Sequence, residues 1–132
     1  MISVFYDFET SDLARVGQIL NFAFVAVDDG FNPIDTLAGR IKISRLQLPR
    51  IGAILKNRIN VINHQQETTL SERDAVAQIR SFLERQVSLS KSEPVQLIGY
   101  NSAGFDLNYL RTVFIRNGRS PYISGLVPKD LL

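Results

Sequence analysis

Apolar residues fall along this chain in two rhythms. ISVFYDFE, residues 2–9, is a short run of β-formers stopped by Thr10-Ser11-Asp12, and it predicts a buried strand. QILNFAFVAVDDG, residues 18–30, predicts a second strand closed by a hairpin turn at Asp28-Asp29-Gly30. PIDTLAGRIKI, residues 33–43, predicts a third strand that pairs back on the second. Short turns make these three antiparallel. Residues 44–66 have mixed periodicity, broken by Pro49 and Gly52, and predict a loop with a short helix.

The rhythm then becomes helical. In TTLSERDAVAQIRSFLERQV, residues 68–87, Val76, Ile79, Leu83 and Val87 share one face, and Thr69 with Glu72 has capping-box spacing. VQLIGYN, residues 95–101, predicts a short buried strand. AGFDLNYLRTVFIRNG, residues 103–118, predicts a second helix, with Phe105, Tyr109 and Val113 in one stripe and Gly118 as its stop. After Pro121 the tail is a candidate for a last strand. The order implies one α/β domain with a mixed sheet. Strands 1–3 are antiparallel, and a right-handed crossover sets strand 4 parallel to strand 1.

Composition narrows the class. The 132 residues suit a single domain, and 45% hydrophobic residues can fill its core. With no cysteine, disulfides and thiolate metal sites are excluded. No signal-like N-terminus is present, and no apolar run approaches the roughly 18 residues of a membrane span. The expectation is a soluble, cytoplasmic protein with no membrane partner.

Charge is unevenly spread. Residues 1–35 hold six acids and one base, whereas residues 36–66 hold Arg40, Lys42, Arg45, Arg50, Lys56 and Arg58 and no acid. An acidic pocket beside a basic strip suits a metal-dependent nucleic-acid enzyme, and a solvated basic surface gives the same count.

The acids carry the candidate chemistry. Residues i and i+2 of a strand share a face, so Asp7 and Glu9 project together while Tyr6, Phe8 and Thr10 point the other way. Without a cation the pair is self-repelling; with Mg²⁺ or Mn²⁺, which take oxygen ligands, it is half a binding site. IGYNSAGFD ends a strand and opens a helix carrying Asp106 in its first turn. An acid is favoured there by the helix dipole alone. If strands 1 and 4 are parallel neighbours, however, Asp106 comes near Asp7 and Glu9 at the strand ends, where open α/β sheets build their sites.

VFYDFET resembles the first motif, D-x-E-T, of the DEDD superfamily of 3′–5′ exonucleases, and GYNSAGFD resembles the second. The chain looks most like bacterial exonuclease I, through FYDFET, FNPID, LPRIGAIL, IGYNSAGFD and VFIRNGRSPY, in order along the whole chain. The resemblance implies a ribonuclease H-like fold and an Mg²⁺-dependent 3′–5′ exonuclease acting on single-stranded DNA. It implies Asp7, Glu9 and Asp106 as three of four metal-binding carboxylates, holding two ions about 3.5–4 Å apart. It implies that Thr10 and Ser11 cradle the terminal nucleotide through their backbone and that Asn101 orients the strand. Phe105 is either a wall for the terminal base or core packing. The basic residues from Arg40 to Arg58 are candidates for phosphate-backbone contact.

The sequence also departs from the family pattern. A fourth Asp, with a His five residues before it in the exonuclease I branch or a Tyr four before it in another, should follow the second motif. Asp130 has Gly125 and Leu126 at those offsets. Lys129-Asp130-Leu131-Leu132 resembles the segment that precedes the family's final helices. The chain is therefore expected to be a single, incomplete domain, weak or inactive alone. The missing part would leave an apolar patch open to self-association or a partner. The alternative is a degenerate, non-catalytic fold that binds nucleic acid or a protein. His64, the only histidine, has Thr69 rather than Asp five residues later, and is expected at the surface without a catalytic role.

Overall fold

A computed structural model describes residues 1–10, 18–43, 64, 68–99 and 106–130, with only the backbone of Asp106 and Asp130. The elements are β1 (Ser3–Thr10), β2 (Ile19–Val27), β3 (Pro33–Arg40), α1 (Glu72–Leu89), β4 (Val95–Gly99), α2 (Asp106–Arg116) and β5 (Leu126–Asp130). The five strands form one sheet in the order β3-β2-β1-β4-β5. β1 is antiparallel to β2 and parallel to β4, and β5 is parallel to β4, as a ribonuclease H-like sheet requires. The tail strand after Pro121 is real.

β1 alternates strictly. Val4, Tyr6, Phe8 and Thr10 are buried, while Asp7 is exposed and Ser3, Phe5 and Glu9 are half-buried. Cross-strand pairing extends the buried side to Ala26, Phe24 and Phe22, and then to Asp35, Leu37 and Gly39. The apolar stripe of α1 seals this side, with Val76, Ile79, Phe82 and Leu83 in the same core and the Phe82 ring 5.9 Å from Phe24. Gly39 is part of that packing, because a Cβ there would lie 2.7 Å from the Phe22 ring. α2 adds Tyr109, Leu110, Val113 and Phe114 to the core. The crossovers β3-α1-β4 and β4-α2-β5 step the same way along the sheet, so a common hand puts both helices on one face. No described element covers the other face.

Several local expectations shift. The cap of α1 is Ser71, whose Oγ accepts from the Asp74 N–H at 3.1 Å, rather than Thr69. The reason lies upstream: the Lys42 N–H donates to the Leu70 carbonyl, so residue 70 is tied to the end of β3 and the helix starts after it. Glu72 instead receives two 2.6 Å bonds from Arg116 at the far end of α2. Gly118 does stop α2: at φ 72° it lets the Arg119 N–H reach the Phe114 carbonyl and its own N–H reach that of Ile115. The β2–β3 turn is wider than a two-residue hairpin. Asp28 Oδ1 accepts from the backbone of Gly30 and Asn32, and Phe31, not Gly30, takes the left-handed conformation at φ 60°.

His64 is not at the surface. It is 4% exposed and donates from Nε2 to the Ile41 carbonyl at 2.6 Å. The rest of the predicted loop and short helix at 44–66 lies outside the described residues. Among the described residues, no helix is long and apolar enough to cross a membrane.

Candidate metal and nucleic-acid site

The face of the sheet that no described helix covers carries Asp7 and Glu9 near the C-terminal end of β1. Parallel pairing with β4 is recorded from Ser3↔Gln96 to Phe5↔Ile98, so the carboxylates stand two and four residues beyond the last pair. β4 ends one residue past that pair, at Gly99, and the chain re-enters helix at Asp106. Asp7, Glu9 and the start of α2 therefore belong to the same end of the β1–β4 pair, where the parallel strands of an α/β sheet open.

The Asp7 carboxylate makes no hydrogen bond or ion pair among the described residues, and a second carboxylate shares its face two residues away. Uncompensated, that arrangement is electrostatically unfavourable. Hard, all-oxygen donors of this kind fit Mg²⁺ or Mn²⁺. The described side chains alone do not assemble three metal-ligating groups, and the side chain of Asp106 lies outside them.

The remaining expected site residues divide. Thr10 is 3% exposed with its side chain on the helix face, so only its backbone can meet a ligand on the carboxylate face. Arg40 ends β3, and both it and Lys42 are exposed. The Lys42 carbonyl accepts from the buried Gln18 Nε2 at 2.6 Å, which pins the start of the basic strip to β2. Ser11, Arg45, Arg50, Lys56, Arg58, Asn101 and Phe105 lie outside the described residues. His64, with Nε2 bonded to backbone, is spoken for structurally.

One residue was passed over in the sequence. Asn21 interrupts the apolar run ILNFAF at an outward position, directly opposite Glu9. Its Oδ1 is buried and has no hydrogen-bond partner among the described residues. The signal was the polar residue itself, but its neighbour could be named only from the register. A cavity of about 180 Å³ lies elsewhere, between the helices and β4–β5. Leu83, Leu97, Leu110, Phe114 and Leu126 line it, no acid does, and it is on the wrong face to serve Asp7 and Glu9.

No family model matches the chain, and no curated protein matches it. Solved structures do. A structure of E. coli exonuclease I in complex with a 5cy-dA13 oligonucleotide superposes with a TM-score of 0.83 at 26% identity, covering 99% of this chain and 28% of that one. The zinc-bound form of the E. coli exonuclease I–ssDNA complex gives the same values. A product-bound exonuclease I structure gives a TM-score of 0.81 at 26% identity, covering 99% of this chain and 30% of that one. The chain thus spans less than a third of the length of these relatives. Over that length it has the mixed sheet and two helices of their N-terminal ribonuclease H-like domain, and the chain resembles, from end to end, the exonuclease I branch of the DEDD 3′–5′ exonucleases.

Proposed function

We propose that this chain carries the first two motifs of an Mg²⁺- or Mn²⁺-dependent 3′–5′ exonuclease acting on single-stranded DNA. The observation that carries the reading is the Asp7 carboxylate beside Glu9, without a partner among the described residues, at the strand end that leads to Asp106. Likeness to exonuclease I structures solved with single-stranded DNA supports it.

Asp7, Glu9 and Asp106 hold the divalent ions and set where the scissile phosphate sits. When bound, such ions supply Lewis-acid activation of the attacking water and charge stabilisation at the leaving oxygen. Water adds to phosphorus, the bond to the upstream 3′ oxygen breaks, that oxygen leaves protonated, and a nucleoside 5′-monophosphate is released. The backbone at Thr10 and Ser11, with Asn101 and Phe105, positions the terminal nucleotide. Arg40, Lys42, Arg45, Arg50, Lys56 and Arg58 neutralise phosphates upstream.

A second reading rests on Asp130, the acid that follows the second motif, which has Gly125 and Leu126 where a His or Tyr would stand. Where only three carboxylates act one ion is poorly held, and where no His stands beside them no general base is supplied. The chain would then bind single strands or a protein partner without cleaving. The test is binding and 3′-end release on a labelled single strand, with Mg²⁺ and with chelator. Binding and 3′-end release that both need the divalent ion and Asp7 are expected. Binding without release, or binding indifferent to both the ion and Asp7, favours the non-catalytic reading.

A further inference from the structure

Outward positions of β1, β2 and β3 form rows across the face that no described helix covers. Glu9 pairs with Asn21 and Asn21 with Arg40, making one row; Asp7, Ala23 and Ala38 make the next; Phe5, Val25 and Thr36 make the third. Two strand spacings put Arg40 roughly 10 Å from Glu9. In the Asp7 row nothing larger than a methyl group follows the carboxylate, and Ala23 and Ala38 are both exposed. The result is a shallow trough running from the acids to the β3 edge. By strand alternation the positions of Asn21 and Arg40 flank it on one side, and those of Phe5, Val25 and Thr36 on the other.

Asn21 is the polar residue on this face whose side chain is left incompletely bonded. Its Oδ1 is buried without a partner among the described residues and the side chain is half-exposed, so the N–H edge is the part open to solvent. An amide held beside a carboxylate and in line with an exposed guanidinium is a donor to an anion passing between them.

We propose that this trough is the track by which the single strand leaves the metal site. The phosphate next to the scissile one accepts from Asn21 Nδ2, and the following phosphate pairs with Arg40. Asn21 is thus a positioning residue. The inference rests on Asp7 and Glu9 as the metal site. Lys129, exposed on β5 at the other side of β1, supplies the control, because Ile98 pairs with it on that side.

The experiment titrates thymidine oligonucleotides of two, three and four residues into the protein in Ca²⁺, across a range of salt. The dinucleotide has only the scissile phosphate. Asn21→Ala should weaken the trimer and tetramer about tenfold and spare the dimer. Arg40→Ala should weaken only the tetramer and lower its salt slope by about 0.7, the value for one phosphate contact on a single strand. Asn21→Asp, which keeps the shape and removes the donor, should lose at least as much as Asn21→Ala, with circular dichroism confirming the fold. Lys129→Ala should bind as the parent does. Tetramer binding that needs Asp7 but ignores Asn21 and Arg40, or that falls with Lys129→Ala, overturns the track alone. Binding that survives Asp7→Ala, or no binding at all, overturns the metal-site reading and the track with it.

Discussion

Asp7 faces Ala23 across the β1–β2 ladder, so the acid meets a methyl group where a cation could have stood. The neighbour on its own strand face, Glu9, is a second acid. A site meant only to be stable would place Lys or Arg opposite Asp7; the residue there is an alanine, and among the described residues Asp7 has no partner.

That gives a substitution with opposite effects on stability and on metal binding. Ala23→Lys sets an ammonium directly across from Asp7, and an opposite-charge cross-strand pair adds about 0.2–1 kcal/mol. The same ammonium competes with a divalent ion, and Mn²⁺ affinity should fall about tenfold. Thermal melts and calorimetric Mn²⁺ titration of the one variant check both.

Asp35 links β3 to α1 and sets part of the acid stability. Burial pushes its carboxyl up, but bonds from Arg85 Nε at 2.8 Å and Gln86 Nε2 at 2.7 Å outweigh this and hold it below the ordinary value. Asp28 is held low as well, chiefly by the Asn32 N–H. A lowered folded pKa means the unfolded chain binds more protons between the two values. The stabilisation is therefore complete above the unfolded pKa near 4 and is lost as pH falls through the folded one. Urea unfolding from pH 6 to pH 2 should show that loss, and Asp35→Asn should flatten it.

Glu72 and Arg116 close the helix layer. Their two 2.6 Å bonds, with a third from Asn117 Nδ2, join the start of α1 to the end of α2, and the side chains are only 16% and 24% exposed. Glu72→Gln removes charge-assisted bonds and should cost about 2 kcal/mol. The urea midpoint should fall with the slope unchanged.

The alternation that puts Asp7 and Glu9 on one face and the Gly118 stop were legible because each depends on residues close in sequence, and β4 beside β1 was legible because a crossover through a helix has a fixed hand. What was hidden depends on residues brought together by folding. Thr69 had a capping motif, but the Lys42–Leu70 bond moved the helix start to Ser71. His64 sits in a stretch without clear periodicity, and its burial is set by the Ile41 carbonyl, 23 residues away. Phe31 rather than Gly30 took the left-handed position because the Asp28 carboxylate fixes the backbone on both sides of it. Asn21 gives no signal in the sequence beyond being a polar residue in an apolar run, because Glu9 comes opposite it only through the β1–β2 register.

The most direct test is calorimetric titration of Mg²⁺ and Mn²⁺ into the purified chain and into Asp7→Ala. Asp7 is exposed, so its loss should leave the fold intact. Binding in the parent that disappears in the variant is the predicted result. No binding in either, or equal binding in both, would contradict the assignment of Asp7 and Glu9 as a metal site.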